Sequence, residues 1–117
     1  MKPRFLPTLG AMALASAFAL PAHAQTEIQW WHSMTGGLND WVIDISNEFN
    51  ASQKEYKVVP TYKGSYDESM TASIAAFRAG NAPHILQVYE VGTATMMAAK
   101  GAIVPVGKVL ADAGYKF

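Results

Sequence analysis

Cysteine is absent from the 117 residues. That one absence removes a disulfide framework, a thiolate metal site, a cysteine nucleophile and a lipid anchor on cysteine. Charge is scarce as well: 15% of the chain is charged, against about 25% in an average soluble domain. Nine basic residues balance nine acidic ones, so no charge excess holds phosphates, and nucleic acid is excluded as a partner. Half of the chain is apolar, which excludes an acidic disordered polypeptide. Gly-x-Gly-x-x-Gly and Walker patterns, a nucleophile elbow, internal repeats and low-complexity linkers are also missing.

Long hydrophobic runs are missing too. The longest apolar stretch, Leu9 to Leu20, has twelve residues and as a helix spans about 18 Å, short of a hydrocarbon core of about 30 Å. Lys2 and Arg4 precede it, and Pro21 and Ala22-His23-Ala24 follow. This order of a positive region, an apolar core and a small-residue site reads as a secretory signal peptide over residues 1–24, with cleavage expected between Ala24 and Gln25. The exported chain is then 25–117, with 7 basic against 9 acidic residues, and its lack of cysteine suits an oxidising compartment.

The rest alternates strand and helix. Glu27 to His32 reads as a strand with Ile28 and Trp30 on one face and Gln29 and Trp31 on the other. Leu38, Trp41, Val42, Ile45 and Phe49 form one apolar helical face, with Asp40, Asp44, Ser46, Asn47 and Glu48 largely outside it. Tyr56 to Tyr62 is a second strand, and Pro60 demands an edge or a bulge. Ser65 and Glu68 have capping-box spacing at the start of a helix whose buried face is Met70, Ile74 and Phe77 and whose C′ residue is Gly80. Ile85 to Tyr89 reads as a short strand buried on both faces. Helical runs follow from Ala94 to Lys100 and near Lys108 to Ala113. The fold class is α/β, a mostly parallel sheet with flanking helices joined by right-handed crossovers.

Ligands in such sheets bind beyond the carboxyl ends of the strands. Trp31-His32-Ser33-Met34, Gly64-Ser65-Tyr66 and Tyr89-Glu90 should therefore converge on one rim. Glu90, directly after a strand, must be solvated, paired or bound to ligand hydroxyls; the alternative is a charge favoured by the following helix dipole. Tyr66, in the first turn of a helix, could pack on a small polyol and donate from its hydroxyl, or simply cover the core. Trp31 and His32 suggest a stacking platform or a metal ligand, but no second histidine stands at ligand spacing, and His84 falls at the other end of the sheet. Thr35-Gly36-Gly37 offers exposed amides to an anion, and a hydrolytic triad can be drawn from Ser33, His32 and Glu90 without supporting spacing.

The rim segments also carry a resemblance. Trp31-His32-Ser33-Met34, Val59-Pro60-Thr61-Tyr62-Lys63-Gly64-Ser65-Tyr66, the run Ile74 to Pro83 and the run Ile85 to Met97 resemble the glycerol-phosphate-binding branch of the family 1 extracellular solute-binding proteins. The Phe-Arg-Ala-Gly-Asn-Ala-Pro element is common to the wider family, and Gln-Val-Tyr-Glu-Val-Gly-Thr-Ala-Thr-Met-Met is particular to the branch. The likeness runs from about Ile28 to Phe117.

The resemblance implies a type II periplasmic-binding-protein fold, two α/β lobes closing on ligand, of which residues 25–117 would be part of the N-terminal lobe. It implies a periplasmic, non-catalytic protein without cofactor or metal, expected to be a monomer. Such a protein captures sn-glycerol 3-phosphate, with glycerophosphodiesters as further candidates, for the permease subunits of an inner-membrane ABC importer. Its first-lobe ligand contacts, a tyrosine and a glutamate, correspond to Tyr66 and Glu90. Phosphate-binding positions are expected beyond Phe117, as the chain is shorter than the family. The alternatives are a sugar or oligosaccharide binder of the same family and a secreted hydrolase using Glu90 or His32.

Overall fold

The structure, a computed structural model, describes residues 24–116. All but the last residue of the signal segment lies outside them. Three parallel strands form the sheet in the order β2-β1-β3. The central strand β1 spans Thr26–His32, β2 spans Tyr56–Tyr62 and β3 spans Ile85–Leu86. Helix α1 (Gly37–Ser52) connects β1 to β2, and α2 (Tyr66–Arg78) connects β2 to β3. A 3-10 turn at Glu90–Gly92 leads into α3 (Thr93–Ala98), and α4 spans Val106–Asp112. The α/β reading with a parallel sheet flanked by helices holds, and both expected long strands are present.

Pairing runs in register from Thr26 against Tyr56 to His32 against Tyr62. Strand β2 is the edge that Pro60 requires. Among the described residues its outer side is closed by side chains rather than by another strand. Asn50, near the end of α1, donates from Nδ2 to the Val58 carbonyl at 2.8 Å and accepts the Val58 amide at 2.7 Å. Pro60, two residues on, faces the same side and has no N–H to leave unpaired. Gln53 ties the incoming turn, accepting the Glu55 and Tyr56 amides at 2.7 Å each.

The two helices keep part of their expected apolar faces, with Val42 buried and Ile45 half-buried, but also bury residues that the periodicity does not mark. On α1, Val42 and Ser46 are buried, whereas Leu38, Trp41 and Phe49 are exposed. On α2, Ser69 and Ser73 are buried, Met70 and Ile74 are half-buried, and Phe77 is exposed. The physical reason is size. A serine at the contact lets the helix axis approach the sheet, and its hydroxyl can be satisfied within the helix, as Ser46 does on the Val42 carbonyl and Ser73 on the Met70 carbonyl, each at 2.8 Å. Larger side chains then stand off to the flanks.

Helix α2 begins and ends as its sequence dictates. The Ser65 hydroxyl accepts the Glu68 amide, and the Glu68 carboxylate accepts the Ser65 amide at 2.7 Å, a complete capping box. At the other end Gly80, at φ +76°, sends its amide to the Phe77 carbonyl, while Asn81 reaches the Ala76 carbonyl, the paired bonds of a Schellman motif.

Strand β3 departs from expectation. The ladder holds only Trp30 against Ile85 and Trp31 against Leu86, and Ile85 is exposed, so the stretch Ile85 to Tyr89 is not a strand buried on both faces. Side chains close the ladder at both ends. The Gln29 amide donates to His84 Nδ1 at 3.0 Å, and the Ser33 amide donates to Gln87 Oε1 at 2.9 Å. Because the Gln87 side chain takes the bond that its backbone carbonyl would make in a continuing strand, the chain is released from β1 and turns toward Glu90.

Candidate functional site

The strand order places the reversal of connectivity between β1 and β3, and the crevice outside the carboxyl ends of strands at such a reversal is where ligands enter open α/β sheets. The three expected rim segments do meet there. The Lys63 amide donates to the His32 carbonyl at 2.9 Å and ties the second segment to the first. The Ser33–Gln87 bond ties the first to the third. The rings of Tyr66 and Tyr89 stack at 5.0 Å between centroids and 22° between planes, which joins the second to the third.

Tyr66 is half-buried, its ring resting on Tyr89. The Tyr89 hydroxyl donates to Asp67 Oδ1 at 2.6 Å. That bond, and to a lesser degree desolvation and the charges of Asp67 and Glu90, raises the Tyr89 phenol above its ordinary 10.0. Glu90 is exposed at the start of the 3-10 turn. Among the described residues its carboxylate has no hydrogen-bond or ion-pair partner, so it is open to donors from outside. Gly92 is buried beside this cluster, and a Cβ there would fit only tightly, 3.0 Å from Tyr89 Cε1 and 3.1 Å from Met70 Sδ.

Other candidates take different places. Trp31 lies under Lys63, whose Nζ stands 4.1 Å from the ring centroid, so one face of that indole is covered by a cation. His32 is 2% exposed and sits between the rings of Trp30 and Tyr62, each 6.2 Å away. Burial pushes its imidazole below the ordinary 6.5. It is a packed residue, away from the solvent side of the rim where a platform or a ligand would have to be. His32 Nδ1 and Ser33 Oγ are both buried without a hydrogen-bond partner among the described residues. The serine–histidine link of a triad is therefore not made, and Ser33 cannot be activated as drawn. Among the described residues no three His, Asp or Glu side chains cluster as metal ligands. Gly36, at φ +54°, opens α1 without a side-chain cap, and its carbonyl accepts the Asn39 amide at 2.9 Å.

Sequence reasoning overlooked Asp67 and Gln87 as parts of the rim, and gave Tyr89 a place there without a role. A signal was available for Asp67 and Tyr89. Tyr66-Asp67 and Tyr89-Glu90 are both tyrosine–acid pairs at the carboxyl-side ends of their units, and the structure crosses them, tyrosine on tyrosine and hydroxyl on acid.

No family model matches the chain. Known proteins do match it closely. It is 55% identical over 105 residues, 90% of its length, to the sn-glycerol-3-phosphate-binding periplasmic protein UgpB of Brucella abortus (strain 2308), of which it covers 24%. To the protein of the same name from Brucella suis biovar 1 (strain 1330) it is 53% identical over 117 residues, 97% of its length and 27% of the relative's. To that of Escherichia coli O1:K1 / APEC it is 56% identical over 110 residues, 94% of its length and 25% of the relative's. The chain spans about a quarter of the length of the curated relatives it matches. The resemblance read from the rim segments is borne out at the level of these relatives.

Proposed function

We propose that the chain is part of a two-lobed periplasmic solute-binding protein of type II architecture. Its reading is that of a monomer that captures sn-glycerol 3-phosphate and delivers it to the permease subunits of an ABC importer, without catalysis. The observation that carries this is identity of 53–56% along at least 90% of the chain to three proteins named for binding that ligand in the periplasm. An export signal at residues 1–24 agrees with such a location.

The rim gives the proposal its chemistry. A carboxylate repels phosphate, so Glu90 accepts from the glycerol hydroxyls, while Tyr66 packs against the carbon chain and donates from its own hydroxyl. Phosphate is then held by groups outside this rim. Removing the carboxylate should loosen hydroxyl recognition most strongly. Calorimetric titration of the protein purified from its own host tests this. We expect sn-glycerol 3-phosphate to bind and Glu90→Ala to weaken it about tenfold or more, with Tyr66→Phe weakening it about threefold. The unfolding midpoint of both variants should stay close to wild type. Equal affinity in all three proteins would remove both residues from the site. Preference for an oligosaccharide over sn-glycerol 3-phosphate would overturn the choice of ligand.

A further inference from the structure

Two tyrosines meet at the rim, and the structure treats them differently. Tyr89 is bound at both ends: its ring lies on Tyr66 and its hydroxyl is held by Asp67 Oδ1 at 2.6 Å. No group among the described residues takes the Tyr66 hydroxyl. Asp67 belongs to the first turn of α2, directly after Tyr66, so the hydrogen bond closes a loop. Helix α2 holds Asp67, Asp67 holds Tyr89, and the Tyr89 ring supports the Tyr66 ring that α2 also carries. Behind Tyr89 the packing is tight, since a Cβ added at Gly92 would lie 3.0 Å from Tyr89 Cε1 and 3.1 Å from Met70 Sδ.

We infer that Asp67 and Tyr89 are positioning residues for Tyr66, fixing the plane of its ring so that its hydroxyl, and not that of Tyr89, is presented to the glycerol part of a ligand beside Glu90. This rests on the ligand reading above and adds to it. A tyrosine on an open helix start has two free side-chain torsions, and ordering them on binding costs affinity. A stacked partner with a tethered hydroxyl removes that freedom before ligand arrives. Stacked aromatic pairs of this spacing are attractive beyond the area they bury, and a hydroxyl donating to a carboxylate is among the stronger hydrogen bonds. The tether also serves selection: with its proton engaged by Asp67, Tyr89 does not compete as a donor to ligand.

The test combines two readouts on the protein carrying ring-13C tyrosine: the ring resonances of Tyr66 and the affinity for sn-glycerol 3-phosphate. Tyr89→Phe keeps the stack and loses the tether, and Asp67→Ala does the same from the other side. We expect each to shift and broaden the Tyr66 ring signals, and each to weaken binding about three- to tenfold. The double variant should be no worse than either single one, because both remove one interaction. Tyr89→Leu, which loses stack and tether, should weaken binding further. Unmoved Tyr66 signals in Asp67→Ala and Tyr89→Phe would overturn the inference, whatever the affinities. So would unchanged affinity in both variants while Glu90→Ala binds weakly, an outcome that leaves the ligand reading standing. If wild type does not bind sn-glycerol 3-phosphate, the ligand reading fails. The positioning of Tyr66 for that ligand fails with it, even where the ring signals still show the tether.

Discussion

The Ser33 amide donates to the side chain of Gln87 at 2.9 Å, two residues beyond the last rung of the β1–β3 ladder. It has a counterpart below, where the Gln29 amide donates to His84 Nδ1 at 3.0 Å. A strand of two residues is thus held between two side-chain acceptors, and the upper one decides where the chain leaves the sheet for Tyr89 and Glu90.

Replacing Gln87 by Leu keeps bulk and removes the acceptor, leaving a part-buried amide unpaired. The expected cost is about 1–3 kcal/mol in urea unfolding, with faster hydrogen exchange at the Ser33 amide. Gln87→Glu retains an acceptor and should lose less. Wild-type stability and a protected Ser33 amide in Gln87→Leu would show that the ladder does not depend on this bond.

The start of α2 should be sensitive to both members of its capping box. Ser65→Ala is expected to lose about 1 kcal/mol. Gly64→Ala should also be harmful, since Gly64 sits at φ +85° and an added methyl would run into the Glu68 carboxylate. Hydrogen bonds from the Ser65 amide and hydroxyl hold the Glu68 carboxyl below its ordinary 4.5. A carboxyl lowered on folding stabilises the fold above its unfolded pKa, and that contribution is lost as pH falls through the folded one. Unfolding followed from pH 6 downward should show this decline in wild type, and a shallower one in Ser65→Ala.

His32 gives a second, separate pH dependence. Burial lowers its folded pKa below 6.5, so the unfolded chain takes up a proton first. Stability is then unaffected above that value, falls as pH drops below it, and levels off once the folded form also protonates. His32→Leu removes the titrating group and an unpartnered Nδ1. Its urea midpoint should change less between pH 7.5 and 5.5 than that of wild type. Parallel curves would assign the loss to other groups.

Gly92→Ala tests the packing behind the rim. The added methyl would stand 3.0 to 3.2 Å from the Tyr89 ring and 3.1 Å from Met70 Sδ, so something must shift. Overpacking of this kind costs about 1–3 kcal/mol. The Tyr89 phenol, raised chiefly by its bond to Asp67, should titrate closer to 10.0 if the ring is pushed off Asp67. A phenol that titrates as in wild type would mean that Met70 yields instead.

Much of the frame was legible because its causes are local. Alternation over Glu27 to His32 and Tyr56 to Tyr62 places β1 and β2, Pro60 places β2 at an edge, and Ser65, Glu68 and Gly80 fix the ends of α2 through bonds reaching only three to five residues. The helix faces were less legible. Periodicity counts large apolar residues, and beside Val42 the buried positions of α1 and α2 are Ser46, Ser69 and Ser73, which no apolar pattern marks. The length of β3 was hidden for another reason: a glutamine side chain 54 residues away from Ser33 in sequence takes over a backbone bond.

The candidate rim divides along the same line. The sequence by itself determined which segments end at the carboxyl side of the sheet, because strand direction and crossover order follow from short-range pattern, and so it brought Tyr66 and Glu90 to one place. Only the tertiary structure decided their company. It turned His32 inward between Trp30 and Tyr62, laid Lys63 over Trp31, and crossed Tyr66-Asp67 with Tyr89-Glu90. These contacts join residues about 20 to 30 apart in sequence, save the nearby Trp30–His32 pair. They are set by where the strand ends stop and how far each helix can approach, quantities that depend on packing across the whole sheet and not on any one stretch of chain.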